Sequence, residues 1–97
     1  MGALSINNIV TYDEEYQILD NDNYITFIGT SDAYLPQING NTGMKLNLMN
    51  GGSEIVMVHS NSGENDIYYS GEMVNIVSID PGTKLEIYNN SLNYFTT

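Results

Sequence analysis

Few residues of this chain are of a type that does chemistry, and their spacing limits what they do. His59 is the only histidine. One imidazole makes neither a zinc site nor a nucleophile triad without placed partners, and at the end of an apolar run it reads as a partly exposed strand end. Glu64, Asp66 and Glu72 are candidate carboxylates for glycoside hydrolysis, which needs two at a set separation. Nothing in their spacing sets one, so they read as solvated loop charge. Asp20-Asn21-Asp22-Asn23 alternates oxygen ligands as a calcium loop does. An EF-hand would carry glycine at its sixth position and glutamate at its twelfth, where Ile25 and Ser31 stand. The stretch reads as a turn, because Asn and Asp tolerate left-handed backbone and bond their own main chain. No catalytic, cofactor or metal residue is assigned, and the chain is expected not to be an enzyme.

The eight tyrosines are more informative. Tyr34, Tyr68, Tyr69 and Tyr88 stand at strand ends or beside loops. Tyrosine there serves sheet packing and protein interfaces, or stacks on sugars beside Asn and Asp. These four are the candidate glycan or interface contacts.

The elements that position them are short strands. The stretch Met44–His59 organises the chain. Met44, Leu46 and Leu48 alternate with Lys45 and Asn47, the period of a half-buried strand. Asn50-Gly51-Gly52 supplies a break that suits a hairpin turn. Ile55-Val56-Met57-Val58 returns as a strand apolar on both sides, expected to be covered on both faces. Further runs are Tyr16–Leu19, Tyr24–Ile28, Ala33–Pro36, Asp66–Tyr69, Met73–Ile79, Thr83–Tyr88 and Leu92–Phe95. Turn signals separate them, among them Ser70-Gly71 and Asp80-Pro81-Gly82. No window shows a helical period. About eight short strands at roughly 8–12-residue spacing predict an all-β fold, a small antiparallel sandwich or barrel. Residues 1–12 are expected to be an N-terminal arm or first strand, and residues 13–97 a single β domain.

Charge excludes several partners. Twelve acidic side chains stand against two basic ones, Lys45 and Lys84, for a formal charge of −10. Such a chain does not neutralise a phosphate backbone, so nucleic acid is excluded as a partner. An anionic membrane repels it, and no apolar run is long enough for insertion. Cysteine is absent, so disulfides and thiolate metal sites are too. A chain of 97 residues forms a modest core, which association with copies of itself would supplement.

From Tyr16 onward the order of signals resembles a small β domain of phage and prophage virion proteins, found in tail fibres, head fibres and capsid decoration proteins. The resemblance lies in the acidic turn Ile18-Leu19-Asp20-Asn21-Asp22, the strand Tyr24–Ile28, the pair Leu35-Pro36 and the strand Gly43-Met44-Lys45-Leu46. It continues through Asn50-Gly51 to Val58, the turn and strand Pro81–Tyr88, and the close Asn93-Tyr94-Phe95. That close departs from the family, which often has tryptophan where Tyr94 stands. The resemblance implies a homotrimer on the outer surface of a virion, with a major capsid protein or other virion protein as partner. A shaft signal is missing, with neither a heptad run nor a collagen-like repeat. With the chain read as complete, capsid decoration is the expected role. Leu4, Ile6, Ile9 and Val10 are the expected capsid contact. The alternative is a receptor- or carbohydrate-binding domain of a tail fibre or adhesin, with a host surface glycan as partner.

Overall fold

The computed structural model describes residues 8–20, 22–37, 45–61, 63–89 and 93–96. Their secondary structure is all β, as expected. Among the described residues eleven strands form two sheets. In chain order they are β1 (Asn8–Thr11), β2 (Glu15–Gln17), β3 (Tyr24–Phe27), β4 (Asp32–Tyr34), β5 (Lys45–Asn50) and β6 (Val56–His59). Then follow β7 (Ile67–Tyr69), β8 (Glu72–Val74), β9 (Ile76–Ile79), β10 (Lys84–Asn89) and β11 (Tyr94–Thr96). The larger sheet has seven strands in the order β1-β3-β5-β10-β11-β7-β8, and the smaller has four in the order β2-β4-β6-β9.

The core follows from alternation. On β5, Leu46, Leu48 and Asn50 point inward while Lys45, Asn47 and Met49 face out. On β10, Leu85, Ile87 and Asn89 point inward opposite Lys84, Glu86 and Tyr88. From the smaller sheet, Ala33, Val56, Val58, Val77 and Ile79 close the same core, and Phe27, Ile67 and Tyr94 fill it. The Tyr94 hydroxyl stays buried because it donates to the Pro36 carbonyl.

The pairing corrects the antiparallel expectation. From β1 to β6 the chain crosses from one sheet to the other with every strand. Each strand then pairs in parallel with the one two places on: β1 with β3, β2 with β4, β3 with β5, β4 with β6. This is a coil of three rungs. Two later strands add antiparallel, β9 on β6 and β10 on β5.

The expected central hairpin is therefore not one, since its two strands lie in different sheets. Gly51 and Gly52 do not adopt positive φ, which among the described glycines belongs to Gly63, Gly71 and Gly82. They serve close approach instead. A Cβ on Gly52 would sit 2.5 Å from the Ile28 carbonyl oxygen of the rung beneath, and one on Gly51 would sit 2.9 Å from Ile28 Cδ1. Asn50 locks this corner. Its Nδ2 donates to the carbonyls of Glu54 at 2.7 Å and Ile79 at 2.8 Å, and its Oδ1 accepts from the Gly52 amide at 3.0 Å. The tight hairpin lies elsewhere. Ser70 and Gly71, with φ of 53° and 84°, join β7 to β8, the pair of positive angles a two-residue turn takes.

Two further expectations change. The run Met73–Ile79 is two strands broken at Asn75, where the chain passes to the smaller sheet. The break reverses parity, so Val77 and Ile79 are buried while Met73 is exposed. The strand around Val56 is covered on one face only: Val56 and Val58 are buried, and Met57 and His59 are half-buried on the outside. Met44 lies outside the described residues.

Candidate functional site

The outer face of the larger sheet brings together side chains that lie far apart in sequence. Strand register sets Lys45 beside Tyr88, Tyr88 beside Phe95, Phe95 beside Tyr68, and Tyr68 beside Met73. The result is one row across β5, β10, β11, β7 and β8. Ring centroids are 6.2 Å apart for Tyr88–Phe95, which are stacked, and 5.7 Å for Tyr68–Phe95, which are tilted. Neighbouring strands fix such cross-strand pairs, and aromatic pairs prefer these offset arrangements. Tyr68, Tyr88 and Met73 remain about 40% exposed. The side chain of Lys45 lies 3.6 Å from Glu86.

Beside this row the same face carries a depression. It measures about 200 Å³ and opens over β3, β5 and β10, between Tyr24, Thr26, Asn47, Met49, Lys84 and Glu86. Among the outward-pointing residues of the strands on this face, Lys45 and Lys84 are cationic and Glu86 is acidic.

The smaller sheet carries a polar cluster on its outer face. His59 Nε2 lies 2.7 Å from Asp32 Oδ1, and the Ser31 hydroxyl donates to Asp32 Oδ2 at 3.0 Å. Tyr34 stacks on the imidazole at 4.7 Å. The His59 bond, then the Ser31 bond, hold the Asp32 carboxyl below its ordinary range against a smaller opposing effect of burial. The acid sits between serine and histidine. An activated serine needs the histidine in the middle, so this trio does not raise the nucleophilicity of Ser31.

The acidic turn is structural. Asp22 is buried, and its Oδ2 accepts from the Leu19 amide at 2.9 Å and from the Tyr16 hydroxyl at 3.0 Å. Burial, then the bond to Asp22, pushes the Tyr16 phenol up to about 12. Asn21 lies outside the described residues. Among the described residues no group of three His, Cys, Asp or Glu side chains could hold a metal.

Of the expected contact residues, Tyr68 and Tyr88 share the aromatic row. Tyr69 is exposed on the opposite side of β7, paired with Glu72. Tyr34 lies on the other sheet, against His59. Val10 is exposed on β1, the edge strand, while Ile9 packs against the core. Leu4 and Ile6 lie outside the described residues. Sequence reasoning passed over Phe95, Met73 and the two lysines as members of the face. The usable signal was the outward parity of Tyr88, but a row across five strands depends on register, which local sequence does not carry.

No family model matches the chain, and no curated protein or solved structure matches it.

Proposed function

We propose that this chain is a non-enzymatic structural protein of a phage virion, a capsid decoration protein held on the outer shell as a homotrimer. The observation that carries an assembly role is the exposed aromatic row Tyr88–Phe95–Tyr68 with Met73 beside it. Aligned, half-exposed aromatics and methionine are the composition of protein interfaces. The virion setting rests on the resemblance in the order of turns and strands from Tyr16 on.

A decoration protein works by bridging neighbouring capsid subunits, adding buried area where the shell is weakest under the pressure of packaged DNA. Its own charge of −10 keeps particles from adhering to one another. Of the expected capsid contact Ile9 and Val10 are described, and Val10, exposed on an edge strand, is the part open to a partner. A Val10→Glu variant is expected to weaken binding to purified undecorated capsids by about tenfold, the effect of losing one apolar anchor, with fold and oligomeric mass unchanged. Unchanged binding would remove β1 from the contact.

The second reading, a glycan-binding domain of a tail fibre or adhesin, draws on the same row, since tyrosines stack on sugar rings. Glycan-array binding that disappears with Tyr68→Ala or Tyr88→Ala would favour it. The ring contacts favour a protein partner instead. Phe95 has an aromatic neighbour on each side and stacks on Tyr88, whereas a sugar needs an open ring face.

A further inference from the structure

The corner that leads from β5 to β6 carries a reactive pair. Asn50 stands directly before Gly51. In an Asn-Gly pair the glycine nitrogen can attack the asparagine side-chain carbon, and glycine hinders this least because it has no Cβ. We propose that Asn50-Gly51 is a self-modification site held closed by the fold. It deamidates only in unfolded chains, and the product bars those chains from folding again. The inference is independent of the virion reading.

The reaction needs no partner but water. The Gly51 nitrogen gives its proton to solvent base and bonds to Asn50 Cγ. The Cγ–Nδ2 bond breaks, and the nitrogen takes a proton from solvent and leaves as ammonia. Water then opens the succinimide ring at either carbonyl, which gives aspartate or isoaspartate. In the folded chain each of these atoms is held away from the reaction. The Gly51 N–H donates to the Phe27 carbonyl at 2.8 Å, so its proton does not face solvent base. The leaving nitrogen, Asn50 Nδ2, donates to the carbonyls of Glu54 and Ile79, and Oδ1 accepts from the Gly52 amide. These three bonds fix the plane of the side-chain amide, and its carbon does not turn to meet Gly51. Asn50 is 1% exposed, which keeps out water and base as well. Reaction therefore waits on an opening of this corner.

Neither product fits the place it leaves. An aspartate has no N–H for the two carbonyls, so a buried carboxylate would lie against two carbonyl oxygens. Isoaspartate adds a methylene to the backbone at a corner already packed against the rung beneath, where a Cβ on Gly52 would sit 2.5 Å from the Ile28 carbonyl oxygen. Unfolding then becomes irreversible, as in chains that are altered chemically before they refold.

The test keeps the full natural chain for days in mildly alkaline buffer at physiological temperature, with and without urea above its unfolding midpoint. Deamidation is read site by site by peptide mass mapping. Asn39-Gly40, the same pair elsewhere in the sequence, is the clock in urea. Asn50 is expected to keep pace with Asn39 in urea and to react about a hundredfold or more slowly without it, since opening comes first. Urea is then removed and the folded fraction isolated by size exclusion. That fraction is expected to hold only chains intact at Asn50. The variant Asn50→Asp makes one product directly and is expected to unfold at a much lower urea concentration than the natural chain, or to lack the folded circular dichroism signal altogether. Equal rates at Asn50 with and without urea overturn the inference. So do chains deamidated at this position that refold in the proportion found in urea, or an Asn50→Asp midpoint equal to that of the natural chain.

Discussion

Single side chains hold the corners of this molecule, and their replacement has calculable effects. Asn50 is 1% exposed and satisfies a carbonyl and an amide of the β5–β6 connection and a carbonyl of β9. Asn50→Ala leaves those groups without a partner and is expected to cost about 2–4 kcal/mol in urea unfolding. Gly52→Ala forces a Cβ against the Ile28 carbonyl oxygen, a backbone atom that cannot swing aside, with an expected loss of at least about 2 kcal/mol. Tyr16 and Asp32 give stability an alkaline and an acid dependence. The Tyr16 phenol is raised in the folded state to about 12. Its contribution is therefore complete below the ordinary tyrosine value of about 10 and is lost as pH rises from there to the folded value. Urea midpoints should fall across that alkaline window in the natural chain and fall less in Tyr16→Phe. Asp32 has the opposite sign. Its folded value lies below the ordinary one, so its contribution is complete above about pH 3.9 and disappears as pH drops through the lowered value. Asp32→Asn should flatten the acid limb of the same curve, whereas an acid limb of unchanged steepness would remove the His59 pair from the account.

At the scale of elements, strands and loops were legible and their pairing was not. The alternation of Lys45–Asn50 and Lys84–Asn89 gives the right inward faces, and Ser70-Gly71 and Asp80-Pro81-Gly82 turn where their residue types require. An Asn-Gly-Gly break, however, has the same composition whether the chain folds back within a sheet or crosses to another. What decides is the Ile28 carbonyl beneath Gly52, and a contact between distant rungs leaves no local mark. Asn75 likewise breaks a seven-residue apolar run without a proline or glycine. Its carbonyl accepts from the Ser60 amide at 2.9 Å as the chain changes sheets. The candidate face was half legible: Tyr68 and Tyr88 carried a signal, whereas Phe95 and Met73 joined them only through register. The coil decides how the N-terminal segment is to be probed. β1 pairs with β3 over four residues, and the Ile28 amide donates to the Thr11 carbonyl at 3.0 Å. Removing residues 1–12 would strip a strand from the sheet, so lost capsid binding would not be separable from lost fold. Point substitution at Val10 keeps the two apart.

For the whole molecule the governing facts are small size, strong negative charge and one face where that charge is locally relieved. Long-range repulsion between copies is screened by salt while apolar contact is not weakened by it. Association should therefore tighten as sodium chloride rises from low to physiological strength. An interface dominated by ion pairs would loosen instead. The proposed virion role is tested most directly by imaging and compositional analysis of purified phage particles from a host carrying this gene, comparing natural and gene-deleted phage. The expected result is a compact three-lobed density repeated over the outer capsid of the natural particles and missing from the deleted ones, with the chain present in many copies by mass spectrometry. Natural particles whose capsids lack the chain, with the protein free in the lysate or confined to the tail tip, would contradict it.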